Sequence, residues 1–181
     1  MIDPTSRVPT AAVVWIPPES VWGPIQNIRR RYDRHLTRWM PHMTLLYPFR
    51  PREKFNEIEA MLREAAAKVP AFEATLGEPS SFEHNPRSFT MWMSPEPAES
   101  FRSLQAALQA AVPDCNDVAN YPGGFTPHLS VGQSHGAEEV EARLRGIRSE
   151  WTPLQCPVSE VAMIYRIGEG PFQVDRLIPL G

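Results

Sequence analysis

The chain has 181 residues, of which 42% are hydrophobic and 22% are charged, a composition typical of a soluble globular protein. Its net charge of −3 argues against a protein that coats nucleic acid by charge alone, so any anionic ligand must meet a local site. No run approaches the roughly 20 apolar residues of a transmembrane helix, and the N-terminus lacks the basic and apolar segments of a secretory signal. We therefore expect a cytoplasmic protein without a membrane partner.

Hydrophobic periodicity, turn residues and prolines divide the chain into alternating strands and helices. In chain order, the pattern predicts a buried strand at 11–16, an amphipathic helix at 19–39, a strand at 41–49, a helix at 53–69, a strand at 71–77, a hairpin at 80–97, a helix at 97–112, a glycine-rich loop leading into a strand at 121–133, a helix at 137–150, and two final strands at 157–167 and 172–180. The length and this order suit one domain, residues 1–181, built of two intertwined lobes.

Two stretches of the chain repeat the same series of features. "VVWIPP" and "TMWMSPEP" each precede a helix, a loop, and then "PHMTLL" or "PHLSVG". In this alignment Trp15 matches Trp92, and His42 matches His128. The pattern indicates a degenerate internal duplication, which predicts two similar lobes related by a pseudo-twofold axis. The two histidine strands would then face each other across a cleft.

Each histidine stands two residues before a hydroxyl side chain. Side chains at positions i and i+2 of a strand point to the same face, so His42 shares a face with Thr44, and His128 with Ser130. The intervening and following residues are apolar and suit a core. A single strand histidine beside a hydroxyl is more often a structural residue than a catalyst, but the duplicated context favours a shared site.

Two imidazoles and two hydroxyls are the groups that phosphodiester cleavage or transfer requires. A neutral histidine takes a proton from the attacking water or hydroxyl, and a protonated histidine gives one to the leaving oxygen. The ordinary histidine pKa of about 6.5 would let both states coexist near neutral pH. The hydroxyls can donate to the non-bridging phosphate oxygens. This scheme requires no metal and no cofactor.

The pair "HMTL" and "HLSV" resembles the motifs of the 2H phosphoesterase family, which includes RNA 2′,3′-cyclic phosphodiesterases and the 2′-5′ RNA ligases. The resemblance runs from "VVWIPP" to the C-terminal "GPFQVDRLIPLG". It implies a bilobal α+β fold in which antiparallel-rich sheets flanked by helices form a central cleft. It also implies metal-independent hydrolysis of cyclic nucleotide or RNA-end phosphates, with His42 and His128 as the acid/base pair and Thr44 and Ser130 as phosphate ligands. In the usual family assignment the second-motif histidine activates water and the first protonates the leaving oxygen, although the substrate's orientation decides this.

Further candidates for substrate contact lie near the motifs. Arg166 stands on an apolar C-terminal strand, where it would face phosphate or pair with an acid. Tyr165 and Phe125 are candidates for stacking on a base, although most aromatic side chains belong to the core. The remaining histidines, His35, His84 and His135, fall in predicted helix or loop segments and are interpreted as surface residues.

Other features of the sequence do not decide between the possible functions. The arginines at 29–38, 50 and 52 are either an RNA-backbone track or, more simply, a solvated helix end. Cys115 and Cys156 lack metal-ligand spacing and are expected to be free thiols. The rival functions are a module that binds a mononucleotide such as AMP or an RNA end with little turnover, a 2′-5′ RNA ligase, and a metal site, for which the motifs supply no carboxylate. We expect a monomer.

Overall fold

The computed structural model describes residues 6–181, which form eight strands and four α-helices. The strands are β1 (Ala11–Trp15), β2 (Met43–Leu46), β3 (Phe72–Asn85), β4 (Ser88–Glu96), β5 (Leu129–Ser134), β6 (Leu154–Val158), β7 (Glu160–Tyr165) and β8 (Gln173–Pro179). The helices are α1 (Trp22–Tyr32), α2 (Phe55–Ala66), α3 (Ala98–Ala111) and α4 (Ala137–Glu150). Short 3₁₀ turns precede α1 and α2, and a third follows α3.

The strands form two antiparallel sheets with corresponding strand orders. The first sheet has the order β2-β1-β7-β8 and the second β5-β4-β3-β6. In each sheet the strand that follows the histidine lies at one edge, beside the strand that precedes the connecting helix. The lobes exchange helices, since α1 packs on β5 and α3 packs on β2. This arrangement confirms the expected bilobal α+β fold.

The two lobes also share a strand irregularity. The pairing of β1 with β2 shifts register between Val13 and Val14, and the pairing of β4 with β5 shifts at the corresponding place, between Met91 and Trp92. Each shift adds one residue to the motif strand, as in a β-bulge. The same bulge at the same place in both lobes supports the duplication.

The register corrects one detail of the alignment between the repeats. Trp92 pairs with Ser130, whereas the residue paired with Thr44 is Val14. Trp92 therefore corresponds to Val14, and the predicted match of Trp15 with Trp92 is wrong by one position. Because neighbouring strand residues face opposite sides, Trp15 is buried in the core while Trp92 lies on the face of Ser130.

Helix α1 is shorter than the periodicity predicts. The pattern continues to residue 39, but α1 ends at Tyr32 and Asp33 is extended. The Asp33 carboxylate accepts hydrogen bonds from Arg29 Nε at 2.8 Å and from the backbone N–H of His35 at 2.9 Å, so it ends the helix with a side-chain turn. Helices α3 and α4 match their predicted spans closely.

Two predicted strand boundaries differ from the structure. The predicted strand at 157–167 is two strands, because the chain leaves the second sheet after β6 and enters the first as β7, with Ser159 between them. The Ser159 carbonyl accepts from the Leu180 N–H at 2.8 Å, beside the end of β8. Conversely, the predicted strand at 71–77 and the first arm of the hairpin form one continuous strand, β3.

A glycine permits the close contact between α1 and the second motif strand. A Cβ atom at Gly132 would lie 2.5 Å from Tyr32 Cβ and 2.8 Å from the Tyr32 carbonyl oxygen. No larger residue fits at that separation without a backbone shift. The final glycine of "PHLSVG" thus sets the distance between the end of α1 and β5.

Candidate active site

The two motifs present the same alternation of buried and partly exposed residues. Met43 and Leu45 are fully buried, as are Leu129 and Val131, and the histidines and hydroxyls between them are partly exposed. This confirms that each motif turns its apolar residues to the core. The Cα atoms of β2 approach those of β5 to within 8 Å, so the two sheets meet along their motif strands.

Both imidazoles are oriented by the same backbone contact. His42 Nδ1 lies 2.8 Å from the Met40 carbonyl oxygen, and His128 Nδ1 lies 2.7 Å from the Thr126 carbonyl oxygen. A carbonyl only accepts, so in each neutral ring Nδ1–H is the donor and Nε2 keeps its lone pair. Each Nε2 can therefore accept a proton, or donate one after the ring is protonated.

The environment favours the neutral form of both histidines. Burial lowers the pKa of His42 to about 4, and the charge of Arg29, with that of His128 when it is protonated, adds to this effect, whereas the bond to Met40 and the Asp33 carboxylate oppose it. Burial also lowers the pKa of His128, against the bond to Thr126. Desolvation of both rings thus favours the neutral form of each in the free protein, whereas the ordinary histidine pKa would let both states coexist near neutral pH.

Aromatic side chains pack against the first imidazole. Trp39 stacks on His42 with ring centroids 4.5 Å apart and on Phe172 at 3.7 Å, and it meets the edge of Tyr47 at 5.8 Å. Trp39 comes from the loop after α1, and Phe172 from the loop before β8. Neither Trp39 nor Phe172 was among the predicted site residues. Trp39 stands three residues before His42, and this proximity could have indicated a contact with the histidine. No comparable feature of the sequence points to Phe172.

A second aromatic group surrounds His128. Phe82 meets its ring edge-on at 4.9 Å and stacks on Trp92, also at 4.9 Å. Phe82, His128, Thr126 and Tyr121 line a cavity of about 360 Å³, within the size range of small-molecule sites. The predicted hairpin contained both aromatic residues, but only the strand pairing shows that they face the motif.

A buried ion pair supports the loop that carries His42. Arg29 and Asp33 are almost inaccessible to solvent, and Arg29 also donates to the Trp39 carbonyl oxygen at 2.8 Å. Asp33 Oδ1 accepts from the side chain of Gln133 on β5 at 3.2 Å. The ion pair therefore ties the end of α1, the loop before the first motif and the second motif strand together.

The structure places two of the predicted substrate ligands away from the motifs. Tyr165 lies on the face of the first sheet opposite to Thr44, and its ring packs 4.0 Å below the Arg52 guanidinium. Phe125 is buried in the main core. The structure therefore corrects the expected stacking roles of Tyr165 and Phe125, since neither ring is available on the motif face.

The predicted arginines are mostly engaged in local contacts. Arg31 pairs with Glu150, Arg50 with Asp114 and Arg52 with Asp175, while Arg30 bonds Asn27. These partners favour the structural interpretation of this group over an RNA-backbone track. Arg166 pairs with Glu169 at 3.6 Å and lies near Phe172, so it borders the aromatic group beside His42.

The other sequence expectations have mixed outcomes. His84 and His135 are exposed as expected, whereas His35 is partly buried. Cys115 and Cys156 are free and buried, and burial raises the pKa of the Cys156 thiol to about 11. Residues 6–181 contain no group of three or more His, Cys, Asp or Glu side chains suited to a metal ion. In the same part of the chain, no helix has the length and hydrophobicity needed to cross a membrane.

Known proteins are similar to this chain in sequence and in fold. A protein of Geobacillus kaustophilus named "Putative phosphoesterase" is 27% identical over 176 residues, covering 93% of this chain and 95% of the relative. The fold resembles TT0787 of Thermus thermophilus, with a TM-score of 0.61, 23% identity, and coverage of 94% and 97% of the two chains. It also resembles E. coli LigT complexed with 3′-AMP, with a TM-score of 0.57, 17% identity and 95% coverage of both chains.

The decisive match is to a family. The sequence model of the 2′-5′ RNA ligase superfamily matches residues 17–170, which include both histidine motifs and most of the two lobes. That span confirms the resemblance drawn from "HMTL" and "HLSV", and this chain belongs to the 2′-5′ RNA ligase superfamily.

Proposed function

We propose that this protein is a metal-independent phosphodiesterase that hydrolyses 2′,3′-cyclic phosphates of nucleotides or RNA ends. The observation that carries the proposal is the matched orientation of two imidazoles. Each of His42 and His128 has Nδ1 bound to the carbonyl two residues earlier, and each stands beside a motif hydroxyl on a partly exposed face. The phosphoesterase name of the Geobacillus relative supports the same class of reaction.

The proposed reaction is an in-line displacement at phosphorus. One histidine accepts a proton through Nε2 from water as the water oxygen bonds to phosphorus. The bond from phosphorus to one ribose oxygen breaks, and that oxygen takes a proton from Nε2 of the other histidine. The product is a phosphate monoester with a free neighbouring hydroxyl, and the two histidines have exchanged protonation states. Orientation of the ester decides whether His42 or His128 acts as the base.

Substrate charge has a specific part in this scheme. Burial favours the neutral form of both imidazoles in the free protein, because it lowers the pKa of each. A phosphate anion between them favours a protonated ring and raises the pKa of the histidine that serves as the acid. Thr44 and Ser130 donate to the non-bridging oxygens, which gain charge in the transition state.

The cavity beside His128 has room for the nucleoside part of such a substrate. Phe82 offers a ring for stacking, and the buried indole N–H of Trp92 has no hydrogen-bond partner within residues 6–181. A neighbouring fold, that of LigT, is known in complex with 3′-AMP. This cavity also supports the alternative that the protein binds a mononucleotide or RNA end with little turnover.

The test is hydrolysis of 2′,3′-cyclic AMP in the presence of EDTA. We expect turnover by the unaltered protein and a loss of 10²-fold or more in His42→Ala and in His128→Ala, since general acid–base groups contribute about that much. His135→Ala, at an exposed histidine away from the motifs, is the matched control and should retain activity.

Each other outcome identifies a different error. Activity that survives both motif substitutions refutes the acid/base assignment, and activity lost with EDTA refutes the metal-independent mechanism. Titration of AMP without hydrolysis supports the binding module instead. Joining of a 2′,3′-cyclic end to a 5′-hydroxyl end, with no hydrolysis, supports the ligase.

A further inference from the structure

Two arginines share one exposed carboxylate at the rim of the first lobe. Arg38 Nη2 lies 3.3 Å and Arg166 Nη1 lies 3.6 Å from Glu169 Oε2. The Glu169 side chain is 84% exposed, so solvent screens both pairs and they contribute little stability. The site therefore holds two guanidinium charges against one weakly held carboxylate.

The Arg166 guanidinium is fixed in place but incompletely satisfied. Its side chain is only 12% exposed, Nη1 donates to the Gly168 carbonyl oxygen at 2.7 Å, and Cζ lies 5.7 Å from the centre of the Phe172 ring. Among the described residues 6–181, none accepts a hydrogen bond from its buried Nε. Leaving a buried charged donor without a partner is unfavourable, and an oxyanion is the partner that a guanidinium binds best.

A continuous row of rings connects this arginine to the first motif. Phe172 stacks on Trp39 at 3.7 Å, and Trp39 stacks on His42 at 4.5 Å. The backbone loops are joined too, because the Phe172 N–H donates to the Arg38 carbonyl oxygen at 2.8 Å. The arginine pair and His42 are therefore parts of one packed wall.

The stacked rings of Phe172 and Trp39 nevertheless lie between the Arg166 guanidinium and the His42 imidazole. The Arg166 N–H bonds the Thr10 carbonyl, whereas Met43 pairs with Trp15. Five residues separate Thr10 from Trp15, about 16 Å at the usual rise of a strand. Because of this separation, the anion at this rim would be another phosphate of the same substrate and not the reacting one.

We infer that Arg38 and Arg166 form a second phosphate subsite, which binds an internucleotide phosphate of an RNA strand whose cyclic end reacts at the histidines. The inference rests on the proposed function and names its substrate as an oligonucleotide. Glu169 pairs with both arginines when no RNA strand is bound. Glu169 stands between Gly168, which has a φ of +53°, and Gly170. Because neither glycine has a Cβ atom, the backbone on both sides of Glu169 is free to change conformation when the carboxylate is displaced.

The test compares substrates of different length in each variant. The quantity measured is the ratio of kcat/KM for a tetranucleotide with a 2′,3′-cyclic end to kcat/KM for a cyclic mononucleotide. A cyclic mononucleotide that carries a 5′-phosphate distinguishes a terminal phosphate from an internucleotide one. Arg30→Met removes an exposed arginine that bonds only a neighbour on α1 and is the matched control for net charge.

We expect the tetranucleotide to be preferred by the unaltered protein and by Arg30→Met. Arg166→Met and Arg38→Met should each lower the length ratio by about tenfold, a typical loss for an arginine in direct contact with a phosphate. Glu169→Gln should raise the ratio about 2–5-fold, because it removes an ion pair of the strength usual at a surface. Loss of an arginine should also make tetranucleotide binding less dependent on salt. The slope of the logarithm of the binding constant against the logarithm of the salt concentration should fall in magnitude by about 0.7.

The inference is overturned by a ratio near one in the unaltered protein, or by a ratio that the arginine and Glu169 variants leave unchanged. A preference for the 5′-phosphorylated mononucleotide equal to that for the tetranucleotide would also overturn it. If Arg166→Met fails to fold, Arg38→Met and Glu169→Gln still decide the question. Binding of a tetranucleotide ending in a 3′-phosphate measures the same subsite without turnover, so absence of hydrolysis refutes the proposed function and leaves this inference testable.

Discussion

The low pKa of His42 predicts that this histidine makes folding stability depend on pH. Burial lowers its pKa to about 4, whereas an unfolded chain has a histidine pKa of about 6.5. Between these values the unfolded state binds a proton that the folded state does not, so the free energy of unfolding falls as the pH falls. Above pH 7 both states are neutral at this residue and the effect vanishes.

The magnitude follows from the two pKa values. At pH 5 the linkage relation gives a loss of about 2 kcal/mol from this residue, and the limiting loss near pH 4 is roughly 3 kcal/mol. His128 contributes in the same direction, because its pKa is also lowered by burial. Carboxylates paired with arginines add their own acid sensitivity, but that contribution is common to the variants compared.

The assay is equilibrium unfolding by urea at pH 7, 6 and 5 for the unaltered protein, His42→Asn and the exposed-site control His135→Asn. Asparagine can keep a donor near the Met40 carbonyl without an imidazole to titrate. We expect His42→Asn to lose about 2 kcal/mol less than the other two proteins between pH 7 and pH 5. Inorganic phosphate should stabilise the unaltered protein more at pH 6 than at pH 7. Parallel stability curves for all three proteins would refute the desolvation argument.

Three further tests address the framework around the site and the cavity beside His128. Gly132→Ala places a Cβ against α1 and should lower the free energy of unfolding, measured in urea, by roughly 1–3 kcal/mol. Gly146→Ala, in open space on α4, should raise the same quantity by about 0.5–1 kcal/mol. Equal effects of the two substitutions would contradict the close contact at Gly132. Arg29→Met leaves the Asp33 carboxylate buried without its ion-pair partner and should lower the free energy of unfolding by roughly 3–5 kcal/mol. The double variant Arg29→Met with Asp33→Asn should recover much of this loss. A double variant no more stable than Arg29→Met would refute the argument. Phe82→Ala should raise KM for cyclic AMP about tenfold but leave KM for ribose 2′,3′-cyclic phosphate unchanged, and a shared increase would contradict base stacking.

The sequence predicted the features that depend on local periodicity. The alternation of the two motifs, the spans of α3 and α4 and the duplication all follow from patterns within short windows, and the structure confirms them. The family resemblance, which rests on the same two motifs, is confirmed as well.

The predictions that failed concern features that depend on contacts between side chains or strands and not on local periodicity. A β-bulge shifts the register by one residue, so the tryptophan match was wrong although the lobes do correspond. The periodicity of α1 continued past Tyr32, because it does not record that Asp33 turns back to Arg29. The imidazole pKa values depend on desolvation by packed rings, which no short window of sequence displays.

The order of strands in the two sheets has a consequence for biosynthesis. All four strands of the second sheet come from the contiguous segment 72–158, but the first sheet joins β1 and β2 to β7 and β8 from the far end of the chain. On the ribosome, β1 therefore lacks one of its partners until residues 160–165 emerge, and its exposed edge is open to wrong pairing meanwhile. We expect nascent chains stalled when the residues up to Ser159 have emerged from the ribosome to protect the second sheet from protease while β1 and β2 remain sensitive. The protein would complete its first lobe last.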